Sequence, residues 1–176
     1  MWLLLWTLIP IAIWLGDRGP IFYRQRRAGK DGKVFIVHKF RTMIPDADQM
    51  GPTWTTDGDH RLTRVGKILR KTALDELPEL LSVLNGDMSF VGPRPLEENE
   101  QKKLEDQIPG FSQRLVVRPG LTGLAQVYDP ADIAVDKLKY DLEYLEHNSA
   151  WLDGKLIFLS VLNSLGARWD RRSGKP

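Results

Sequence analysis

Apolar and polar positions divide this chain into segments of very different character. The first fifteen residues, MWLLLWTLIPIAIWL, carry no charged side chain and then give way to Gly16, Asp17 and Arg18. A bilayer-spanning helix needs about 20 apolar residues, and Pro10 interrupts this run. The pattern therefore predicts a short helix that enters or lies in a membrane without crossing it, with Trp2, Trp6 and Trp14 suited to the interface. A buried core helix is the alternative, and the three tryptophans and the lack of a polar face argue against it. A signal peptide would need a positive start and a small-residue cleavage site, and neither is present.

Beyond Gly19-Pro20, residues 21–23 and 33–40 read as two short strands joined by the turn-rich stretch 27–32, which predicts a small β-hairpin. Residues 44–60 are rich in Asp, Gly, Pro and Thr and predict a loop, with a short helix around 46–50. Over 64–71 an amphipathic helix is expected, with Val65, Ile68 and Leu69 on one side and Arg64, Lys67, Arg70 and Lys71 on the other. Beside a membrane segment such a basic helix lies on lipid, and otherwise it shows a solvated face. Leu74, Leu77, Leu80, Leu81 and Leu84 repeat at helical spacing until Asn85-Gly86 stops them. Gly92-Pro93-Arg94-Pro95 opens a loop, 96–106 forms a polar helix or linker, and 118–123 forms a second Pro/Gly-marked loop. Helices are expected over 136–146 and 150–165, followed by a basic tail over 167–176. The whole reads as one compact α/β domain.

Composition narrows the chemistry. The 176 residues include no cysteine, which removes disulfides, thiol nucleophiles and thiolate metal sites. The three histidines, His38, His60 and His147, lack metal-ligand spacing. Asp and Glu must therefore carry any acid-base, nucleophilic or metal chemistry. The net charge of +2 hides a segregation: residues 17–71 hold thirteen Lys/Arg against six Asp/Glu, and residues 72–110 hold three against nine. A basic first half facing an acidic centre suits a polyanionic ligand or an anionic membrane, with nucleic acid as a further option.

Pro78 locates one carboxylate pair. Proline costs roughly 3 kcal/mol inside a helix but little in its first turn, so the helix begins at or next to Asp75. Asp75 is then the N-cap or one residue from it, close to the positive end of the helix dipole, where phosphate is also favoured. Capping alone would equally account for Asp75. Arg94 and Arg118 sit in proline-fixed loops, where a guanidinium loses little freedom on gripping phosphate. Lys39, Arg41 and Arg70 are further cationic candidates.

These segments together resemble the monotopic polyprenol-phosphate phosphoglycosyl transferases, the bacterial sugar transferase family. The matching runs are GPIFYRQRRAG over 19–29, KFRTM over 39–43, RLTRVGKILRK over 61–71, LDELPEL over 74–80, NGDMSFVGPRP over 85–95 and VRPGLTGLAQV over 117–127, in order and without large gaps from about 10 to 162. The resemblance implies a two-step exchange at the Asp75-Glu76 pair. Asp75 would attack the sugar-linked phosphate of a UDP-sugar, release UMP, and hold the phosphosugar as an acyl phosphate. Polyprenol (undecaprenyl) phosphate would then take it, initiating bacterial surface glycan synthesis. Magnesium, contacted by Asp75, would hold the diphosphate with Arg94, Arg118 and Arg70. Glu76 is a metal ligand, base or orienting group, and Asp141 falls where the family often has an aspartate.

The resemblance also implies residence on the cytoplasmic face of the bacterial inner membrane through a re-entrant helix-break-helix anchor. The run here matches only the second half of that anchor, without the basic start that precedes it. Residues 1–16 are then the anchor, 17–166 the catalytic domain and 167–176 the basic tail. Association into a homodimer is left open. Other readings are a lipid-binding scaffold in which the Asp-Glu pair only caps a helix, and an aspartyl-phosphate hydrolase. The hydrolase lacks an Asp-x-Asp motif, and no DNA-reading motif or aromatic-rich basic platform speaks for nucleic acid.

Overall fold

The computed structural model of the protein describes residues 2–51, 59–128 and 133–166; the basic tail lies outside them. Helix α1 spans Trp2–Asp17 and runs through Pro10 without a break, contrary to the interruption expected there. Pro10 has no N–H to offer the carbonyl one turn back. The turns on either side are nevertheless pinned, because Ile9 and Ile13 are buried against Phe40 and Leu69, with Leu5 and Trp6 packed at the edge of the same cluster. Leu4, Leu8, Ile11, Trp14 and Leu15 point the other way and are exposed. The helix is therefore a core element along one stripe and an uncovered apolar surface along the other. No helix among the described residues is long and apolar enough to cross a membrane.

Strands β1 (Phe22–Ala28) and β2 (Val34–Phe40) form the expected antiparallel hairpin, in register from Phe22 opposite Phe40 to Ala28 opposite Val34. Strand β1 runs further than predicted, because Arg24, Arg26 and Arg27 extend the ladder despite their charge. Phe40 closes the hairpin by stacking on Phe22 at 5.5 Å and meeting Trp6 edge-on at 5.7 Å. A 3-10 turn over Ala47–Met50 matches the short helix expected near 46–50.

Helix α2 (Arg64–Thr72) is N-capped by Thr63, whose hydroxyl accepts from the Gly66 N–H. Its packing differs from expectation in one respect. Leu69 is buried and Val65 packs on the cluster with α1, but Ile68 is 64% exposed on the face that carries Arg64, Lys67 and Lys71. A residue one position before Leu69 is turned about 100° from it, which is enough to leave the core stripe.

Helix α3 (Leu80–Leu84) follows a 3-10 stretch over Leu74–Glu79. The loop expected at 92–95 is present, but residues 120–122 of the second expected loop form a strand, β4 (Gly120–Thr122), parallel to β3 (Ser89–Val91), a stretch to which no element was assigned. Glycine permits this pairing: a Cβ on Gly120 would lie 2.1 Å from the Gly92 nitrogen. Helices α4 (Glu98–Gln107), α5 (Leu124–Tyr128), α6 (Ala134–His147) and α7 (Ala150–Leu165) complete the fold. Val91, Leu124, Tyr144 and Leu156 form a second core cluster, and Leu96, Phe111 and Leu138 form a third. Much of the α7 surface stays uncovered, including Trp151, Phe158 and Leu165. The result is the mixed α/β architecture expected, with two two-stranded sheets where one was predicted.

Candidate active site

Helix α2 ends at Ala73, which takes a left-handed conformation (φ 55°) and at once precedes the next helical stretch. The N-cap position is thus Ala73, two residues before Asp75, and Asp75 does not cap. Asp75 and Glu76 occupy the first turn of the 3-10 stretch, and Pro78 falls inside it. Only five α-helical residues follow, so a helix dipole contributes little here, and the local field comes from side-chain cations.

Those cations converge on Glu76. Lys39 Nζ donates to Glu76 Oε1 at 2.8 Å and reaches Glu79 Oε1 at 3.0 Å, while Arg94 Nη2 donates to the same Glu76 oxygen at 2.6 Å. Residues three apart eclipse in a 3-10 helix, so Glu76 and Glu79 stand over one another and share one ammonium. Burial would push the Glu76 carboxyl up, but Arg94 and Lys39 together hold it well below the usual carboxylate range. Burial would push the Lys39 ammonium down, but Glu76 and Glu79 outweigh it and hold it up. Glu76 is therefore a fixed anion that orients two cations, which favours the orienting role among those left open for it.

Asp75 behaves oppositely. It is buried, yet its carboxylate makes no hydrogen bond or ion pair to another described residue. Burial and the charge of Glu76 raise its pKa, and Lys39 and Arg70 offset this only in part. An anion so placed is poorly solvated and has no direct hydrogen bond or ion pair among the described residues, which makes it more nucleophilic than an exposed aspartate and receptive to a metal ion. Among the described residues no group of three or more His, Cys, Asp or Glu side chains converges as a metal cage. Magnesium does not require one, because it is held by one or two carboxylates together with substrate phosphate and water. The unpartnered Asp75 carboxylate fits that mode.

The other expected residues divide. Arg70 is half-buried, donates from Nε to Thr42 Oγ1 at 3.0 Å, and its charge acts on Asp75. Arg94 is the more open of the two cations on Glu76, with 30% of its side chain exposed against 14% for Lys39. Arg118 is exposed, and its carbonyl would lie 2.6 Å from a Cβ on Gly92, so the two proline-marked loops are neighbours. Arg41 is not brought to the carboxylates. Its buried guanidinium pairs with Asp17 and donates to the carbonyls of Pro20 and Met43, tying the end of α1 to the hairpin. Asp141 is buried in an ion pair with Arg114, Oδ2 to Nε at 2.7 Å. Arg114 was not singled out from the sequence, because nothing around it but the apolar Leu115-Val116 marks the position.

The site is thus a buried carboxylate pair on an α/β domain, with Lys39 and Arg94 both paired to Glu76. The model of the family described as bacterial sugar transferase matches residues 1–167, and the chain belongs to that family. The chain is 39% identical over 165 residues to the UDP-N-acetylgalactosamine-undecaprenyl-phosphate N-acetylgalactosaminephosphotransferase of Aeromonas hydrophila, covering 90% of this chain and 39% of the relative. It is 40% identical over 159 residues to the UDP-glucose:undecaprenyl-phosphate glucose-1-phosphate transferase of Escherichia coli (strain K12), covering 87% and 34%. The protein of that name from Caulobacter vibrioides is 40% identical over 160 residues, covering 88% and 60%. The chain thus spans between about a third and three fifths of the length of these relatives.

Proposed function

We propose that this chain transfers a sugar 1-phosphate from a UDP-sugar to undecaprenyl phosphate or a similar polyprenol phosphate, with Asp75 as the nucleophile. The observation that carries this reading is the contrast between neighbours: Glu76 is saturated by Lys39 and Arg94, while Asp75 is buried, raised in pKa and unpartnered. The relatives' names supply the substrate classes.

An Asp75 oxygen attacks the phosphorus bonded to the sugar. The bond from that phosphorus to the bridging diphosphate oxygen breaks, and UMP leaves with the electron pair. The phosphosugar then sits on Asp75 as an acyl phosphate until an oxygen of the lipid phosphate attacks the same phosphorus and frees the carboxylate. Two anions therefore need not meet without help, since each step has its own partner. Arg94, the more open of the two cations on Glu76, meets the donor phosphates. Lys39, paired with Glu76, offsets part of the Glu76 charge felt by Asp75, and Arg70 steadies the ionised Asp75. Magnesium, when bound at Asp75, supplies charge neutralisation of the diphosphate. The test uses enzyme, UDP-sugar and magnesium without lipid acceptor. It should release at most about one UMP per site, with a phosphosugar adduct on the peptide containing Asp75. Continuous UMP release without acceptor would instead mean transfer to water.

The lipid acceptor calls for residence at a bilayer, on its cytoplasmic face where the UDP-sugar is available. The uncovered stripe of α1 and the exposed Ile68 amid the basic face of α2 support this. The full chain should float with anionic vesicles. Changing Leu4, Leu8 and Leu15 together to Asp should lower its partition at least roughly 100-fold, since each exposed leucine contributes on the order of 1.5 kcal/mol or more when buried in lipid. These side chains leave the core untouched, so a variant that floats like the parent would place the membrane contact elsewhere.

A further inference from the structure

The loop carrying Arg94 is held in an unusual way. Its four successive carbonyls accept from three separate parts of the chain: Pro93 O from Gly120 N at 2.9 Å, Arg94 O from Arg114 Nη2 at 2.7 Å, and, from the end of β1, Pro95 O from Arg27 Nη1 at 2.8 Å and Leu96 O from Ala28 N at 3.0 Å. The grip at Arg94 itself comes from a buried charge. Arg114 is 2% exposed, and each part of its guanidinium is engaged: Nε on Asp141, Nη1 on Gln101 Oε1 at 3.1 Å, and Nη2 on the Arg94 carbonyl. Its Cζ lies 5.4 Å from the Phe111 ring centre, and Phe111 belongs to an apolar cluster with Leu96 and Leu138.

A buried ion pair of this kind adds little net stability, because desolvation offsets most of its attraction, and an apolar pair of similar volume would serve the cluster as well. What an apolar pair cannot do is donate to the peptide oxygen of the residue whose side chain meets Glu76 at 2.6 Å. The planar fork matters as well. A guanidinium reaches a carboxylate, an amide and a carbonyl in three fixed directions, and the compact ammonium of lysine does not.

We infer that Arg114, fixed by Asp141, is a positioning residue that sets the Arg94 guanidinium for the donor's diphosphate. This rests on the phosphosugar-transfer reading of the site. It gives Asp141 a role at one remove from substrate: Asp141 orients Arg114, Arg114 holds the Arg94 backbone, and Arg94 meets the phosphates.

The test is a double-mutant cycle on the full chain in detergent, read as affinity for UDP with magnesium present, so that it does not depend on the acyl-phosphate step. Arg94→Ala should weaken UDP binding roughly tenfold or more, as expected for a lost charge-assisted contact. Arg114→Lys should weaken it to a similar extent, and Arg94→Ala with Arg114→Lys should show no further loss, because the second change acts only through the first. Additive losses in the double variant, or parent-like UDP affinity in a folded Arg114→Lys protein, would overturn the positioning role alone. Parent-like affinity in Arg94→Ala would overturn the reading of the site on which the role depends. Should Arg114→Lys not fold, Asp141→Asn takes its place in the cycle, since its amide oxygen can still accept from Arg114 Nε while the charge is gone. Its loss should likewise vanish in the Arg94→Ala background, and persistence of that loss refutes the inference.

Discussion

Asp75→Asn should leave a folded protein whose transfer activity is at least about 10³-fold lower, with no phosphosugar adduct on its Asp75-containing peptide, because the amide keeps the volume and loses the attacking anion. The same substitution should make the fold more stable. Burial and Glu76 raise the Asp75 pKa, so the folded state binds that proton more tightly than the unfolded chain does. Above the folded-state pKa the ionised carboxylate therefore works against the fold, and below the unfolded value near 3.8 it does not. The gain in thermal midpoint of Asp75→Asn should be present at neutral pH in magnesium-free buffer. It should shrink as the pH falls through the folded-state pKa. Ordinary turnover in the variant would remove Asp75 from the chemistry. A lowered midpoint at neutral pH would mean that the carboxylate makes a favourable contact.

The largest expected effect on stability lies at Gly66. A Cβ there would stand 1.9 Å from the Thr42 carbonyl oxygen, 2.6 Å from its carbon and 2.7 Å from its Cα, all backbone atoms that no rotamer can move aside. Thr42 is also where α2 is tied to the end of the hairpin, since its carbonyl accepts from Thr63 N at 3.0 Å and its hydroxyl from Arg70 at 3.0 Å. Gly66→Ala must push α2 away from this point and should cost about 3 kcal/mol or more, a fall in thermal midpoint of about 10 °C for a domain of this size. Activity should fall too, because the displaced helix carries Arg70 and leads through Ala73 into Asp75. A midpoint within about 1 °C of the parent would show that the helix yields easily there.

The parts legible in the sequence were those whose signal is local. Helices α2, α6 and α7 announce themselves by apolar spacing, the hairpin by alternation and a turn, and the Asp75-Glu76 pair by Pro78 and the surrounding family motif. The parallel strands β3 and β4 were not legible. They are three residues each and lie among Gly and Pro, and their pairing depends on two glycine backbones meeting from positions 28 residues apart, Gly92 and Gly120. Arg41 looked like a ligand because a cation follows a strand, but Asp17 claims it, and only the closing of α1 onto the hairpin reveals that partner. Arg114 was invisible for the converse reason. Its neighbours are apolar, and its three partners come from α4, α6 and the Arg94 loop.

The distance along the chain between Arg114 and Asp141, 27 residues, has a consequence for the order of assembly. A nascent chain that has delivered Lys39, Asp75 and Arg94 still cannot bury Arg114, because the counter-charge that lets a guanidinium enter the cluster around Phe111 has yet to be synthesised. Until α6 docks, the Arg94 loop lacks its inner support, however complete the hairpin and α2 are. The inner support of the Arg94 loop is therefore among the last features of the fold to form during translation.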